Sequence, residues 1–569
     1  MKYLVILVAL LLLLSACHQS KPAQSLSKTA KVDSLFQKYQ APDSPGYALG
    51  IIEDGALLYS KGYGMANLEH GIPLSDSSAI YIGSMAKQFT TAALLILESQ
   101  GKIDLSKPVK EYLPEFPVYA DTITVNHLIH HTSGIRETNS MQLFQGIDRN
   151  FEEVFDTGDL YELILQQENL NFKPGSEFRY SSGGYAVLAK MVERMTEKDF
   201  RSYLNEVIFE PLGMKNTFVS DNRHEIVPNR AASYWPTNEG TYELRNQLFE
   251  AYGDGGIITT VKDLAKWDRA FYEDLLGVED FAQKMYNKGT LENGEEIEYA
   301  RALQVRNYKG LQMITHNGGM LGFRVDMVRF PEIKTSFILL GNSAYLDPTG
   351  DILKIADIWL DAHFAEIPAT TQKKTETSEI KVAPETLTTY TGYYWTDEAN
   401  YYRRITLRND SLFLDSGNPD FASYLMPISQ TEFLIKDFFI PARFKFDPKN
   451  IKKELTAIFG NTHRNFRKFD PTPPASIEDL IPYLGSYRSE ELSSTYRIYK
   501  DSGRIYLQIN RKKPLQLFPV PTNSNVVWNG KKMVWIGFGE LKFEFENPNT
   551  VSALYIGDAR VSGIRFDKE

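Results

Sequence analysis

A single cysteine, Cys17, stands in 569 residues. No disulfide can therefore form within one chain, and no cysteine-based zinc site can be assembled. Histidines are few, nine in all, and none falls at metal-ligand spacing, so no metal or other cofactor is expected. Positive charge is also in deficit: 62 Lys and Arg against 72 Asp and Glu give a formal net charge of −10. With no basic block in the chain, nucleic acid is excluded as a partner. No Gly-x-Ser-x-Gly occurs, which removes the support an α/β-hydrolase reading would need. The glycines of Gly253-Asp-Gly-Gly256 lack the strand–GxGxxG–helix layout of a nucleotide site and read as backbone geometry. What is abundant is aromatic: 12%, with 32 Tyr and 33 Phe, a share that suits β-rich domains.

The first residues read as a targeting segment. Lys2 precedes an apolar run from Tyr3 to Leu14, and Leu14-Ser15-Ala16-Cys17 resembles a bacterial lipobox. The expectation is a signal peptide over 1–16, lipidation of Cys17, and attachment to the cell envelope on the periplasmic or outer-membrane face. Residues 17–32, rich in Ser, Lys, Gln and Ala, then form a tether, with the first helix starting near Asp33.

The stretch that organises the chain is Ile80-Tyr-Ile-Gly-Ser-Met-Ala-Lys-Gln-Phe-Thr90 and the apolar run behind it. Phe89, Ala92, Ala93, Ile96 and Leu97 recur at helical spacing, and Gly101 ends the run. Ser84 and Lys87 are three residues apart, so on a helix the amine can reach the hydroxyl. A hydroxyl becomes a nucleophile only with such help, and burial favours the neutral, proton-accepting lysine. The bland alternative is a capping serine beside a solvated lysine.

Three further segments stand out. Leu128-Ile-His-His-Thr-Ser-Gly134 is a helix end running into a turn, its His130, His131 and Ser133 read as structural. Tyr180 lies on a turn before an amphipathic helix, where a phenol can serve as a proton shuttle or simply be buried. Thr315-His-Asn-Gly-Gly319 opens an alternating strand, and glycine there marks a close approach to backbone. Beyond a polar linker over 366–382, short alternating strands replace helices. This part is duplicated: Leu387, Tyr390, Gly392 and Tyr394 match Leu480, Tyr483, Gly485 and Tyr487, and Ile405, Leu412 and Leu414 match Ile498, Ile505 and Leu507. Two small antiparallel β-barrels are expected, over 383–470 and 477–569, joined by 471–476.

Taken together, residues 33–365 resemble the serine β-lactamase and penicillin-binding-protein superfamily, on the branch of class C β-lactamases, D-aminopeptidases and esterases. The ordered motifs are Ser84-Met-Ala-Lys87, His131-Thr-Ser-Gly134, Tyr180-Ser-Ser182 and His316-Asn-Gly318. The resemblance implies an α+β fold, an antiparallel sheet flanked by helices with a helical subdomain. It also implies Ser84 as acylated nucleophile, Lys87 and Tyr180 as the proton-transfer pair, and the N–H groups of Ser84 and Gly319 as oxyanion hole. Ser182, His316, Asn317, Gly318 and Arg324 would bind substrate. Two positions depart from the family pattern: Ser182 stands for its Asn, and His316 for the Lys of true β-lactamases. A mostly neutral imidazole attracts a carboxylate less than a fixed cation, so esters, amides or D-amino-acid peptides are favoured over β-lactams. The expected function is an envelope-anchored serine hydrolase acting on a small-molecule or peptide substrate. Its competitor is an envelope sensor that binds, or is acylated and turns over slowly.

Overall fold

The computed structural model describes residues 27–569 except 40, 42, 118, 120, 148–153, 238–239, 366–378, 397–400, 416–422, 436–441, 448, 450–453, 460–461, 470–477, 520–531, 536–538, 548–549 and 559. Cys17, the segment before it and most of both linkers therefore lie outside the described residues.

The hydrolase unit is built on one antiparallel sheet of six strands: β1 (Tyr47–Glu53), β2 (Ala56–Tyr63), β3 (Gln304–Tyr308), β4 (Leu311–Met320), β5 (Phe323–Phe330) and β6 (Thr335–Gly341). Their order across the sheet is β3-β4-β5-β6-β1-β2, which brings the two ends of the domain sequence side by side. The β1–β2 hairpin turns at Asp54-Gly55, both at positive φ, as a tight hairpin turn requires. Helices cover both faces: α1 (Lys28–Leu35), α2 (Lys87–Ser99), α3 (Thr138–Phe144), α4 (Ser182–Thr196), α5 (Val261–Arg269) and α6 (Pro348–Trp359). The central strands are consequently buried on both sides, and β1 and β6 carry the apolar runs Tyr47–Ile52 and Phe337–Gly341. Ala48 and Ile52 of β1 face the core with α2 and α5, whereas Tyr47, Leu49 and Ile51 face the one with α1 and α6. Between α2 and α5 a helical subdomain containing α3 and α4 closes over the first face.

Two expectations are corrected here. The tether does not extend to residue 32: α1 begins at Lys28, capped by Ser27, and buries Val32 fully against the sheet. An apolar residue at helical spacing from Phe36 provides the driving force that a polar composition masked. Ser84 is also not in the α-helix: Gly83–Ala86 is a 3₁₀ turn, and α2 starts at Lys87.

Two closed eight-stranded antiparallel barrels follow, the first from Gly392–Thr396 to Thr462–Phe469 and the second from Gly485–Ser489 to Ile564–Lys568. The repeat seen in the sequence is a repeat of construction. Gly392 and Gly485 both hold φ values near the extended positive region (136° and 144°). In each barrel a lysine stem, Lys468 or Lys568, occupies the space a Cβ would fill. Tyr394 and Tyr487 donate to the carbonyl of the tyrosine four residues back, at 2.9 and 2.7 Å.

Candidate active site

The 3₁₀ turn explains how Ser84 and Lys87 meet. Side chains at i and i+3 of such a turn eclipse one another, and Lys87 Nζ donates to Ser84 Oγ at 3.3 Å. Lys87 is 0% exposed and also donates to the Asp254 carbonyl at 2.6 Å. The glycine turn at 253–256 thus does more than bend the chain, since it supplies the acceptor that fixes the lysine. Two phenol rings border its Nζ, Tyr180 at 5.0 Å and Tyr185 at 5.4 Å. Gly83 itself sits at φ +50°, a conformation a side chain would strain, and the turn it opens lies against β4. At Gly318 a Cβ would stand 1.9 Å from the Ile82 carbonyl, so only glycine lets β4 approach the nucleophile turn. A Cβ on Gly83 would meet the Gly319 nitrogen at 2.8 Å, which places the two expected oxyanion-hole residues in adjacent backbone.

Tyr180 stands just before α4 with its ring on His131, centroids 4.0 Å apart. Its hydroxyl is buried and has no hydrogen-bond partner within the protein, an arrangement that leaves one polar group aimed at whatever enters. The Nδ1 of His131 accepts from the Ser181 N–H at 3.2 Å, so the ring proton is on Nε2. Burial, and then the charge of Lys87, hold His131 well below the usual imidazole range. His316 is likewise neutral: burial and Lys87 push it down to about 3. Its Nδ1 faces the Asn317 carbonyl at 2.7 Å and must donate, leaving Nε2 to accept from the Tyr299 hydroxyl at 3.0 Å. Both nitrogens are thereby committed inside the protein, and His316 supports the wall instead of presenting a free edge to substrate.

The expected substrate residues separate. Strand alternation puts His316 and Gly318 on the face of Ser84, and Asn317 on the other, among Thr315 and Asp326. Arg324 pairs with Gly319 in register and shares that far face. Its guanidinium is turned onto the Leu321 and Phe323 carbonyls (2.9 and 2.7 Å), and burial lowers it to about 10. Ser182 is buried as the first residue of α4, with its N–H held by Glu137 at 2.7 Å. Burial raises the pKa of the Asp254 carboxyl, while the charge of Lys87 pulls it down.

Sequence reasoning missed Asp254, Tyr299, Glu137 and one residue from far away. Glu137 caps α3 through Oε1 and the start of α4 through Oε2, so one carboxylate orients two helix N-termini beside Tyr180. Its neighbour Arg136 is paired with Glu491 of the second barrel, both side chains almost fully buried (2% and 6% exposed). The barrel turn that carries Arg560 and Ser562 is latched by Asn171, which donates to the Arg560 carbonyl at 2.7 Å and accepts from the Ser562 N–H at 2.8 Å. Arg560 on that turn lies 5.7 Å from the Tyr180 ring. No local sequence pattern announces a contact across 380 positions of chain between residues 180 and 560.

Comparison with known proteins gives the family and the fold. Residues 32–358 match the Beta-lactamase family, and the chain belongs to it. It is accordingly a β-lactamase-related serine hydrolase. It is 25% identical over 437 residues to penicillin-binding protein 4* of Bacillus subtilis, covering 74% of this chain and 94% of that one. It is 25% identical over 317 residues to a D-aminopeptidase of Brucella anthropi, covering 55% of this chain and 58% of that one. Among solved structures, the octameric penicillin-binding protein homologue from Pyrococcus abyssi superposes with a TM-score of 0.55 at 22% identity, over 78% of this chain and all of that one (100%).

Proposed function

We propose that the protein is an envelope-anchored amidase or esterase that works through an acyl-enzyme on Ser84. The observation that carries this reading is the Ser84–Lys87 contact at 3.3 Å beside a buried, unpartnered Tyr180 hydroxyl. Ser84 Oγ attacks the substrate carbonyl and its proton passes to the Lys87–Tyr180 pair. The N–H groups of Ser84 and Gly319 receive the charge that develops on the carbonyl oxygen. The pair returns the proton to the leaving amine or alcohol as the C–N or C–O bond breaks, and water then releases the acid and restores Ser84. Relatives named D-aminopeptidase favour a D-amino-acid amide or peptide. The neutral, internally bonded His316 speaks against efficient hydrolysis of β-lactams, whose carboxylate would find no fixed cation at that position. Attachment rests on the lipobox-like Leu14-Ser-Ala-Cys17.

The test is turnover of a panel: nitrophenyl esters, D-amino-acid anilides and nitrocefin, with Ser84→Ala beside the native chain. Ester or D-anilide hydrolysis that vanishes in Ser84→Ala supports the proposal. Labelling of Ser84 by a fluorophosphonate without any turnover would overturn it in favour of a sensor. Retention of membrane association by Cys17→Ala would remove the anchor.

A further inference from the structure

Behind the active site, on the far side of the 130–132 turn, a cavity of about 350 Å³ opens between that turn and the segment 287–290. The volume is within the range of small-ligand sites. Its wall includes Arg301, Lys288, His130, Thr132, Thr290 and Asn126, and no acidic residue. Arg301 is 9% exposed, and its Nε is buried with no hydrogen-bond partner. Among the described residues no carboxylate lies within ion-pair distance of it; Glu98 acts on it only through space. A guanidinium taken out of water without a counter-charge is costly, and such groups are ordinarily paired. Its neighbours do not supply the missing partner. Lys288 is itself a cation, bonded outward to Glu296 at 2.9 Å. The Oδ1 of Asn126, on the same wall, is also buried and unpartnered.

His130 adds an independent oddity. Its two ring nitrogens both face carbonyl oxygens, Asn126 at 2.9 Å and Asn287 at 3.2 Å. A neutral imidazole can donate to only one of them. Burial, with Arg301 and His127 opposing the charge, keeps the ring neutral, down to about 4. A negative charge beside Arg301 would satisfy the guanidinium and let His130 donate to both carbonyls.

We propose that this cavity binds a small oxyanion, the carboxylate or phosphate group of a soluble ligand, with Arg301 as its counter-charge. The site is distinct from the Ser84 cluster, because the turn carrying His131 lies between them. It does not depend on what Ser84 hydrolyses.

The experiment is calorimetric titration of the full chain with inorganic phosphate and, separately, with acetate, at constant ionic strength. Saturable binding of either at one site per chain, weakened at least about 10-fold in Arg301→Gln, is expected; the tighter of the two names the source. Binding should persist in enzyme whose Ser84 has been blocked by a fluorophosphonate. Because Arg301→Gln can disturb packing, Thr290→Trp serves as a second variant, filling the mouth of the cavity from an exposed position and abolishing binding with turnover intact. Equal affinity in native and Arg301→Gln chains, absence of saturable binding, or loss of binding on blocking Ser84 would each overturn the proposal.

Discussion

The two barrels share a plan and differ in what fills them. Among the described residues, the buried core of the first, from Leu387 to Phe466, draws only on that barrel and the short helix leading into it. In the second, Met141, Phe144 and Leu163 of the hydrolase unit join Tyr487, Tyr496, Leu507 and Phe566 in one core. Tyr496 donates to the Phe144 carbonyl at 2.7 Å, Gln145 to the Leu492 carbonyl at 3.0 Å, and Asn510 to the Gln145 carbonyl at 3.0 Å. A duplicated module has thus become, in one copy, part of the catalytic unit. The difference lies in which groups its neighbours bury with it, since strand order and the Gly–Tyr–Lys device are the same in both. The route from the second barrel to the chemistry is short: Glu491 holds Arg136, Glu137 beside it holds α4, and Tyr180 precedes α4.

The largest expected effect comes from the shared core. Phe144→Ala should cost about 3–5 kcal/mol and lower the melting of hydrolase and second barrel together. Phe433→Ala, in the first barrel, should cost a similar amount there and leave Ser84 turnover unchanged. Differential scanning calorimetry with a parallel ester assay distinguishes the two; a Phe144→Ala chain whose hydrolase transition stays put would break the comparison. Next is the buried pair. Glu491→Ala leaves Arg136 as an uncompensated buried charge and should cost about 3–5 kcal/mol, whereas Arg136→Met with Glu491→Leu should recover most of it. Denaturant titration of single and double variants measures this.

The third effect is on pH. His130, His131 and His316, all in the hydrolase unit, have folded pKa values below their unfolded ones. Between about 6.5 and the folded values near 4 and 3, the unfolded chain binds protons that the folded unit refuses. Stability contributed by these groups is therefore present above pH 6.5 and declines as pH falls through that window. Thermal melts at pH 7 and 4.5 should show the hydrolase transition dropping more than that of the first barrel. The smallest effect is at the latch. Arg560→Ala removes an exposed cation and should change stability by less than about 0.5 kcal/mol. It should raise KM for anionic esters about 2–5-fold in low salt, leaving neutral esters alone.

Much of the site was legible because it is local. Ser84 and Lys87 are three apart, and any tight helical turn brings them together; the glycines at 318 and 319 announce close approach wherever they fall. The barrels were legible through strict alternation and through their own repetition. What escaped depends on distant chain. Tyr299 and His316 become partners only when β4 folds beside the 287–303 segment, and Glu491 meets Arg136 across most of the sequence. Asn317 and Arg324 were misplaced for a different reason. A motif names neighbours in sequence, but a strand sends successive side chains to opposite faces. Helix α1 was expected to start near Asp33 instead of Lys28, because five polar residues surround Val32, the position that the sheet buries.

The most direct test of the catalytic account is intact-mass and peptide-mapping analysis of the chain quenched during ester turnover. The account predicts a single acyl adduct on Ser84 that forms in the native chain, forms more slowly in Tyr180→Phe and is absent from Ser84→Ala. An adduct on any other residue, or turnover with no covalent species in either chain, would contradict it.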